Sequence, residues 1–113
     1  MVHLKSVVVS IERALQFIEN NLEKTITLEE VARESGMSRS HFARIFKKIT
    51  GKSFKKYLNQ KRIKRAKYLL KGQEMNITEV CFTVGFNDLS YFDRVFRRLE
   101  GMPPSAYKKN FLI

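Results

Sequence analysis

The chain has 113 residues, 43% of them apolar, which is room for one domain or for two very small ones sharing a central element. Its 22 Lys and Arg against 11 Asp and Glu leave a formal charge of +11, the electrostatic footprint of a protein that meets a polyanion. The single Cys81 excludes an internal disulfide and a thiolate metal cluster, and no apolar run reaches the roughly 20 residues of a membrane span. With no signal-peptide pattern at its start, the chain is expected in the cytoplasm. The charge is unevenly placed. Between Ser35 and Gln73 there are 13 Lys and Arg and no acid, whereas the first 34 residues are mildly acidic.

Residues 1–5 read as a frayed lead-in. Val7, Val8, Ile11, Leu15, Ile18 and Leu22 then recur at helical spacing and mark a support helix to about residue 21. Thr27 and Glu30 make a capping box that opens a short helix over 28–34, with Val31 and Ala32 facing inward. Ser35, Gly36 and Met37 form a tight turn, and Ser38 caps the next helix through its hydroxyl. In that helix Phe42, Ile45, Phe46 and Ile49 make an apolar stripe. Arg39, Ser40, Ala43, Arg44, Lys47 and Lys48 lie on the other side, which carries no acid. The two helices form a helix-turn-helix.

Gly51 ends this unit, and Ser53 caps a long helix over about 54–71. At 1.5 Å per residue it is about 26 Å long and links two lobes. Phe54, Tyr57, Leu58, Ala66, Leu69 and Leu70 are expected to supply contacts at its two ends, around a mostly charged middle in which Arg62 and Arg65 bond to loop carbonyls or to Glu79. Residues 72–76 turn, and from Ile77 the pattern repeats. Leu28, Glu30, Val31, Ala32 and Gly36 correspond to Ile77, Glu79, Val80, Cys81 and Gly85 at an offset of 49. Arg44, Phe46, Lys47, Lys48, Gly51 and Tyr57 correspond to Arg94, Phe96, Arg97, Arg98, Gly101 and Tyr107 at an offset of 50. One residue has entered the second turn, and Asp88 takes the capping place of Ser38. Cys81 stands where Ala32 stands and reads as a small core residue. Pro103 and Pro104 open a last helix over 105–109, and 111–113 folds back or stays loose.

The expected fold is all-α, about seven helices in two helix-turn-helix lobes, 6–52 and 73–113, joined by a linking helix over 53–72. Three stretches, ITLEEVARESGMSRSHFARIFKKITGKSFKKYL, RIKRAKYLL and VGFNDLSYFDRVFRRLEGMPPSAY, make the chain resemble the DNA-binding domain of the AraC/XylS family of transcription regulators. Length and start are similar to the stand-alone members of that family, which lack a sensor domain. The resemblance implies sequence-specific binding of double-stranded promoter or operator DNA as a monomer, bending of that DNA, and activation of transcription with RNA polymerase as partner. It also implies base readers at Ser40, Ala43 and Arg44.

Chemistry adds to this. A guanidinium can bond bidentately to guanine O6 and N7, so Arg44, and Arg94 at the matching place, lead the candidate readers. Arg39, Ser40 and Ala43 complete the first set, and Leu89, Ser90 and Asp93 the second. An ion pair with Asp93 or Glu79 is the alternative for Arg94. Ser38, Lys47, Lys48, Lys52, Lys55, Lys56, Arg97 and Arg98 are phosphate candidates, which position without reading sequence. Two recognition helices linked in this way suit successive major grooves about 34 Å apart. No membrane, cofactor or small-molecule ligand is expected. His41 and His3 make no credible zinc site. No Gly-rich phosphate loop or catalytic constellation appears, so the chain is not expected to be an enzyme. The alternatives are a non-specific architectural DNA binder, or an interaction module in which Glu12, Glu19 and Glu23 hold polymerase or a separate sensor chain.

Overall fold

A computed structural model of the chain describes residues 2–112, with side chains from Ser6 onward. Seven helices and no strand occur among them: α1 (Val2–Asn20), α2 (Leu28–Glu34), α3 (Arg39–Thr50), α4 (Phe54–Lys71), α5 (Ile77–Thr83), α6 (Leu89–Glu100) and α7 (Pro104–Lys109). None is long and apolar enough to cross a membrane. The chain divides into two compact units, Met1–Leu22 with Ile26–Leu58, and Glu23–Thr25 with Asn59–Ile113. Helix α4 therefore gives its first turn to one unit and the rest to the other.

The first unit closes over Ile11, Ala14 and Ile18 of α1, Leu22 in the turn after it, Val31 and Ala32 of α2, and Phe42 and Phe46 of α3, with Ile26 and Leu58 at its margins. Fully burying each aromatic or branched side chain contributes about 1.5–3 kcal/mol, which is what holds helices this short in place. The second unit uses the same positions. Val80, Cys81, Phe92 and Phe96 replace Val31, Ala32, Phe42 and Phe46, and Val84, Phe86, Val95 and Tyr107 join Ile63, Ala66 and Leu70 of α4. Phe46 meets Tyr57 edge-on at 5.3 Å between ring centroids, and Phe96 meets Tyr107 edge-on at 5.6 Å.

The local signals act at matching places in the two units. Ser38 and Asp88 accept from the backbone N–H of His41 and Tyr91 at 3.2 and 3.0 Å, starting α3 and α6. Gly51 and Gly101 end them in the left-handed region, φ 80° and 76°. In the turns, Met37 N–H donates to Ala32 O at 3.0 Å and Phe86 N–H to Cys81 O at 3.1 Å. The second turn carries one extra residue, Asn87.

Several expectations change. Val2–Lys5, expected as a lead-in, are helical and belong to α1; Met1 lies outside the described residues. Val8 is exposed and Ala14 is buried, because the core of the first unit begins only at Ile11. The Thr27 capping box is half formed. Thr27 Oγ1 accepts from Glu30 N–H at 3.1 Å, but the Glu30 carboxylate takes the Thr27 hydroxyl at 3.0 Å and not the cap's backbone N–H. The complete box is at Asn76, whose Oδ1 accepts from Glu79 N–H at 2.8 Å while Glu79 Oε1 accepts from Asn76 N–H at 2.9 Å. Ile49 is 46% exposed, at the last turn of α3. Pro104 is already the first residue of α7, where its missing N–H costs nothing.

The middle of α4 is buried on one side as well as charged. Ile63 is 1% exposed, and Asn59 and Arg62 are buried beside it. These polar groups are tolerated because they are hydrogen-bonded. Asn59 Nδ2 donates to Tyr91 Oη at 2.9 Å, and Arg62 donates to Lys24 O at 2.7 Å with its guanidinium 5.8 Å from the Phe86 ring centroid. Burial pulls the Arg62 pKa below its ordinary value, partly offset by Tyr91. Arg65 pairs with Glu23 at 3.0 Å, so both arginines take the segment Glu23–Thr25 and neither takes Glu79. The turn after α4 is pinned to α7 by Gln73 Nε2 on Lys108 O and Lys108 Nζ on Met75 O, at 2.9 and 2.7 Å. Phe111 folds back onto Tyr107 at 5.1 Å between ring centroids, whereas Ile113 lies outside the described residues.

Candidate nucleic-acid interface

Phe42 and Phe46 point into the first unit, so the 100° step of the helix turns the opposite side of α3 to solvent. Ser40, Arg44, Lys47 and Lys48 are exposed there and Ala43 is half-buried. Arg39 is also exposed, but its guanidinium pairs with Glu29 of α2 at 3.2 Å. Both partners are solvated, so the pair contributes no more than about 1 kcal/mol and competes weakly with a phosphate. The hydroxyl of Ser38 is engaged as the helix cap. Lys47 and Lys48 stand in the last turn, where the helix dipole favours cations. Lys55 and Lys56 are exposed at the start of α4, with Lys52 half-buried before them. Thr50 Oγ1 donates to Phe46 O at 2.8 Å and accepts from Lys52 N–H at 3.2 Å, which fixes this corner. The result is one basic surface without an acid on α3 itself.

The matching side of α6 is built differently. Leu89 is 40% exposed, Ser90 and Arg94 are exposed, and Asp93 is half-buried. With Ile77 and Phe92 they surround a shallow depression of about 480 Å³. Asp93 Oδ2 accepts from Arg97 Nε at 2.6 Å, an i,i+4 pair on the helix surface. The Arg94 guanidinium lies 5.7 Å from the centroid of the Tyr91 ring. Neither acid considered for Arg94 holds it, because Asp93 is taken by Arg97 and Glu79 by the Asn76 cap. Glu100 is held by Lys67 at 3.0 Å. Arg98 stays exposed near the end of α6.

The structure thus gathers Leu89, Ser90, Asp93 and Arg94 around one depression and aligns Ser40, Ala43 and Arg44 on one side of α3. In the sequence-derived set, Arg39 and Arg97 have carboxylate partners. Asp93 was weighed with Arg94 and Arg97 was missed, although the spacing of four on a helix was the available signal, whereas the Arg39 pairing crosses between helices and had none. Tyr91 was not among the candidates, and its ring is the one beside the Arg94 guanidinium. Cys81 is fully buried, and burial, followed by the nearby Asp88 charge, pushes its thiol up to about 11. A thiol so protonated is no nucleophile. Among the described residues no group of three His, Cys, Asp or Glu is placed to hold a metal ion.

Residues 31–110 match a family described as a helix-turn-helix domain. The chain is 35% identical over 103 residues to the lactose operon transcription activator of Staphylococcus xylosus, covering 91% of this chain and 37% of that protein. It is 31% identical over 102 residues to the transposon Tn10 TetD protein of Escherichia coli, covering 90% of this chain and 74% of that one. Other curated relatives are likewise spanned over only about a third of their length, 34% to 36%. Among solved structures, the DNA-binding domain of AdpA, a global transcriptional factor in complex with a target DNA, superposes with a TM-score of 0.85. That match has 27% identity and covers 89% of this chain and 91% of that one.

Proposed function

This chain belongs to the AraC/XylS family of helix-turn-helix transcription regulators, and on that premise we propose that it reads one asymmetric operator in double-stranded DNA as a monomer. In this reading α3 and α6 enter successive major grooves. The observation that carries it is the duplication itself. Two recognition helices of equal length follow equal short helices, with caps and left-handed glycines at matching places, and each turns a guanidinium outward at the same position, Arg44 and Arg94.

Arg44 and Arg94 bond to guanine O6 and N7. Ala43 and Leu89 offer apolar contact to thymine methyl groups, and Ser40 and Ser90 bond to base edges or phosphates. Asp93 suits cytosine N4 through the oxygen that Arg97 does not take. Lys47, Lys48, Lys52, Lys55, Lys56 and Arg98 supply attraction along the backbone, with Arg39 and Arg97 shared between phosphate and carboxylate, and Ser38 placing the N-terminus of α3 against a phosphate. The lobes act as 6–52 and 73–113, joined by the linker over 53–72. Regulation is activation in the cytoplasm, with RNA polymerase as the second partner and no enzymatic step. The activator of the lactose operon named above supports that sign, as the AdpA complex supports DNA as the ligand.

Selection of bound sequences from random duplex DNA at about 150 mM salt, the range in which phosphate attraction no longer masks preference, tests the reading. The native chain should enrich one asymmetric motif with two blocks about one helical turn apart. Arg44→Ala should blur one block and Arg94→Ala the other, each losing about 1–3 kcal/mol of discrimination. Absence of a motif, with both variants weakened evenly on all sequences, would identify an architectural binder instead.

A further inference from the structure

We infer that Tyr91 is a positioning residue for base reading in the second unit, bracing Arg94 from below while α4 holds Tyr91 itself. The inference rests on the proposed role of Arg94. Long arginine side chains on a helix surface sample many rotamers, and bidentate recognition of a base tolerates little misplacement. The Tyr91 ring lies 5.7 Å from the Arg94 guanidinium, within the range of cation–π attraction. The residues are three apart on α6, so they are neighbours along one side of the helix.

The ring is itself fixed on two further sides. It packs against Phe86, tilted by 58° at 5.9 Å between ring centroids, and Phe86 is 4% exposed. Its hydroxyl accepts from Asn59 Nδ2 at 2.9 Å, and Asn59 lies buried on α4. Arg62, one position from buried Ile63, covers Phe86 in turn and is anchored on Lys24 O. From α4 to the solvent the order is therefore buried amide, phenol, guanidinium. A phenylalanine would fill the same volume without reaching Asn59. A ring at this place does two things at once, filling the joint between α4 and α6 and presenting its outer side to Arg94.

His41 stands at the matching position of α3, followed by Arg44 at the same spacing of three. Among the described residues Arg44 has no ion pair and no ring contact. The bracing therefore belongs to the second unit alone. Arg94 is held in one direction at the cost of adaptability, and Arg44 keeps its freedom.

The test measures discrimination at the base pair that Arg94→Ala blurs, as the ratio of affinities for the preferred and the substituted duplex. Four proteins are compared: the native chain, Arg94→Ala, Tyr91→Leu and the double variant, with Tyr91→Phe as the conservative control. Circular dichroism confirms that each is folded. Tyr91→Leu should lower the ratio by roughly two- to fivefold, the range of an exposed cation–π contact. In the Arg94→Ala background the same change should have no further effect on the ratio, and Tyr91→Phe, which keeps the ring, should restore most of it. If Tyr91→Leu weakens binding to both duplexes equally and leaves the ratio intact, the bracing role is overturned while the reading of Arg94 stands. If Arg94→Ala itself alters no base preference, both fall together, and that outcome is read from the single variant. Should Tyr91→Leu fail to fold, Tyr91→Phe against Asn59→Ala decides. Loss of the tether in either should soften the ratio by about 1.5- to twofold, less than loss of the ring, and an unchanged ratio in both overturns the role.

Discussion

The two helix-turn-helix units share a backbone plan and differ in what they show to solvent. Both spend a pair of phenylalanines four residues apart on the core, Phe42 with Phe46 and Phe92 with Phe96. Both start the second helix on a side-chain oxygen and stop it on a left-handed glycine. On the exposed side, α3 carries Arg39, Arg44, Lys47 and Lys48 and no acid, whereas α6 sets Asp93 and Glu100 among Arg94, Arg97 and Arg98. Packing constrains the buried half of each helix to the same few residue types, since a change of one methylene there is felt. The solvent half is free of that constraint. A duplicated motif can therefore diverge from general attraction toward discrimination without altering its fold.

The largest effects should fall on what the units share. Phe46→Ala and Phe96→Ala each remove a fully buried ring and should cost about 3–5 kcal/mol, read as the shift in a urea unfolding transition. Closely similar losses would support equivalence of the two cores; a cost below 1 kcal/mol in either would break it. Exchange of Ala43 and Asp93, which occupy one position in the repeat, is expected to be smaller and to act on binding alone. Asp93→Ala releases Arg97 and removes a charge that phosphates repel, so the plot of log K against log salt should steepen by about 0.9, one phosphate contact. Ala43→Asp should flatten it by a similar amount. Unchanged slopes in both would show that the acid is not what separates the two surfaces.

The smallest effect concerns Cys81, which replaces Ala32. Its thiol is pushed up to about 11 from an ordinary value of 9.0. The folded state thus prefers the neutral thiol, and the stabilisation from this group is full below about pH 9 and is lost as pH rises toward 11. Cys81→Ala should remove that part of the alkaline decline, and the native thiol should resist alkylation at pH 8 until the chain is unfolded. Rapid alkylation of the folded protein would sink the assignment.

Most of the helical plan was legible because its signals are local. Ser38, Gly51, Ser53 and Asp88 act through backbone groups three or four residues away, and the register of the repeat carried them from one unit to the other. Cys81 as a core residue followed from the same register. Most of what failed depended on neighbours distant in the chain. Ile49 matched the apolar stripe, yet it is 46% exposed in the last turn of α3. Arg62 was expected on a loop carbonyl and takes that of Lys24, but its burial and that of Asn59, for which the sequence offered no reading, depend on Lys24 and Tyr91, 38 and 32 positions away, which satisfy their hydrogen bonds. One miss was local: Asp93 was weighed as a partner of its neighbour Arg94 and instead pairs with Arg97, because residues four apart face each other on a helix and adjacent ones do not.

By itself, then, the order of residues determined seven helices, the caps at Ser38, Ser53 and Asp88, the duplication and a basic α3, since each rests on hydrogen bonds or periodicities spanning a few positions. Only the tertiary structure decided which cations remain available, which polar groups of α4 are buried, and that Arg94 leans on a ring tethered to another helix. Such choices depend on desolvation and on partners brought close by folding, and neither quantity exists in the unfolded chain.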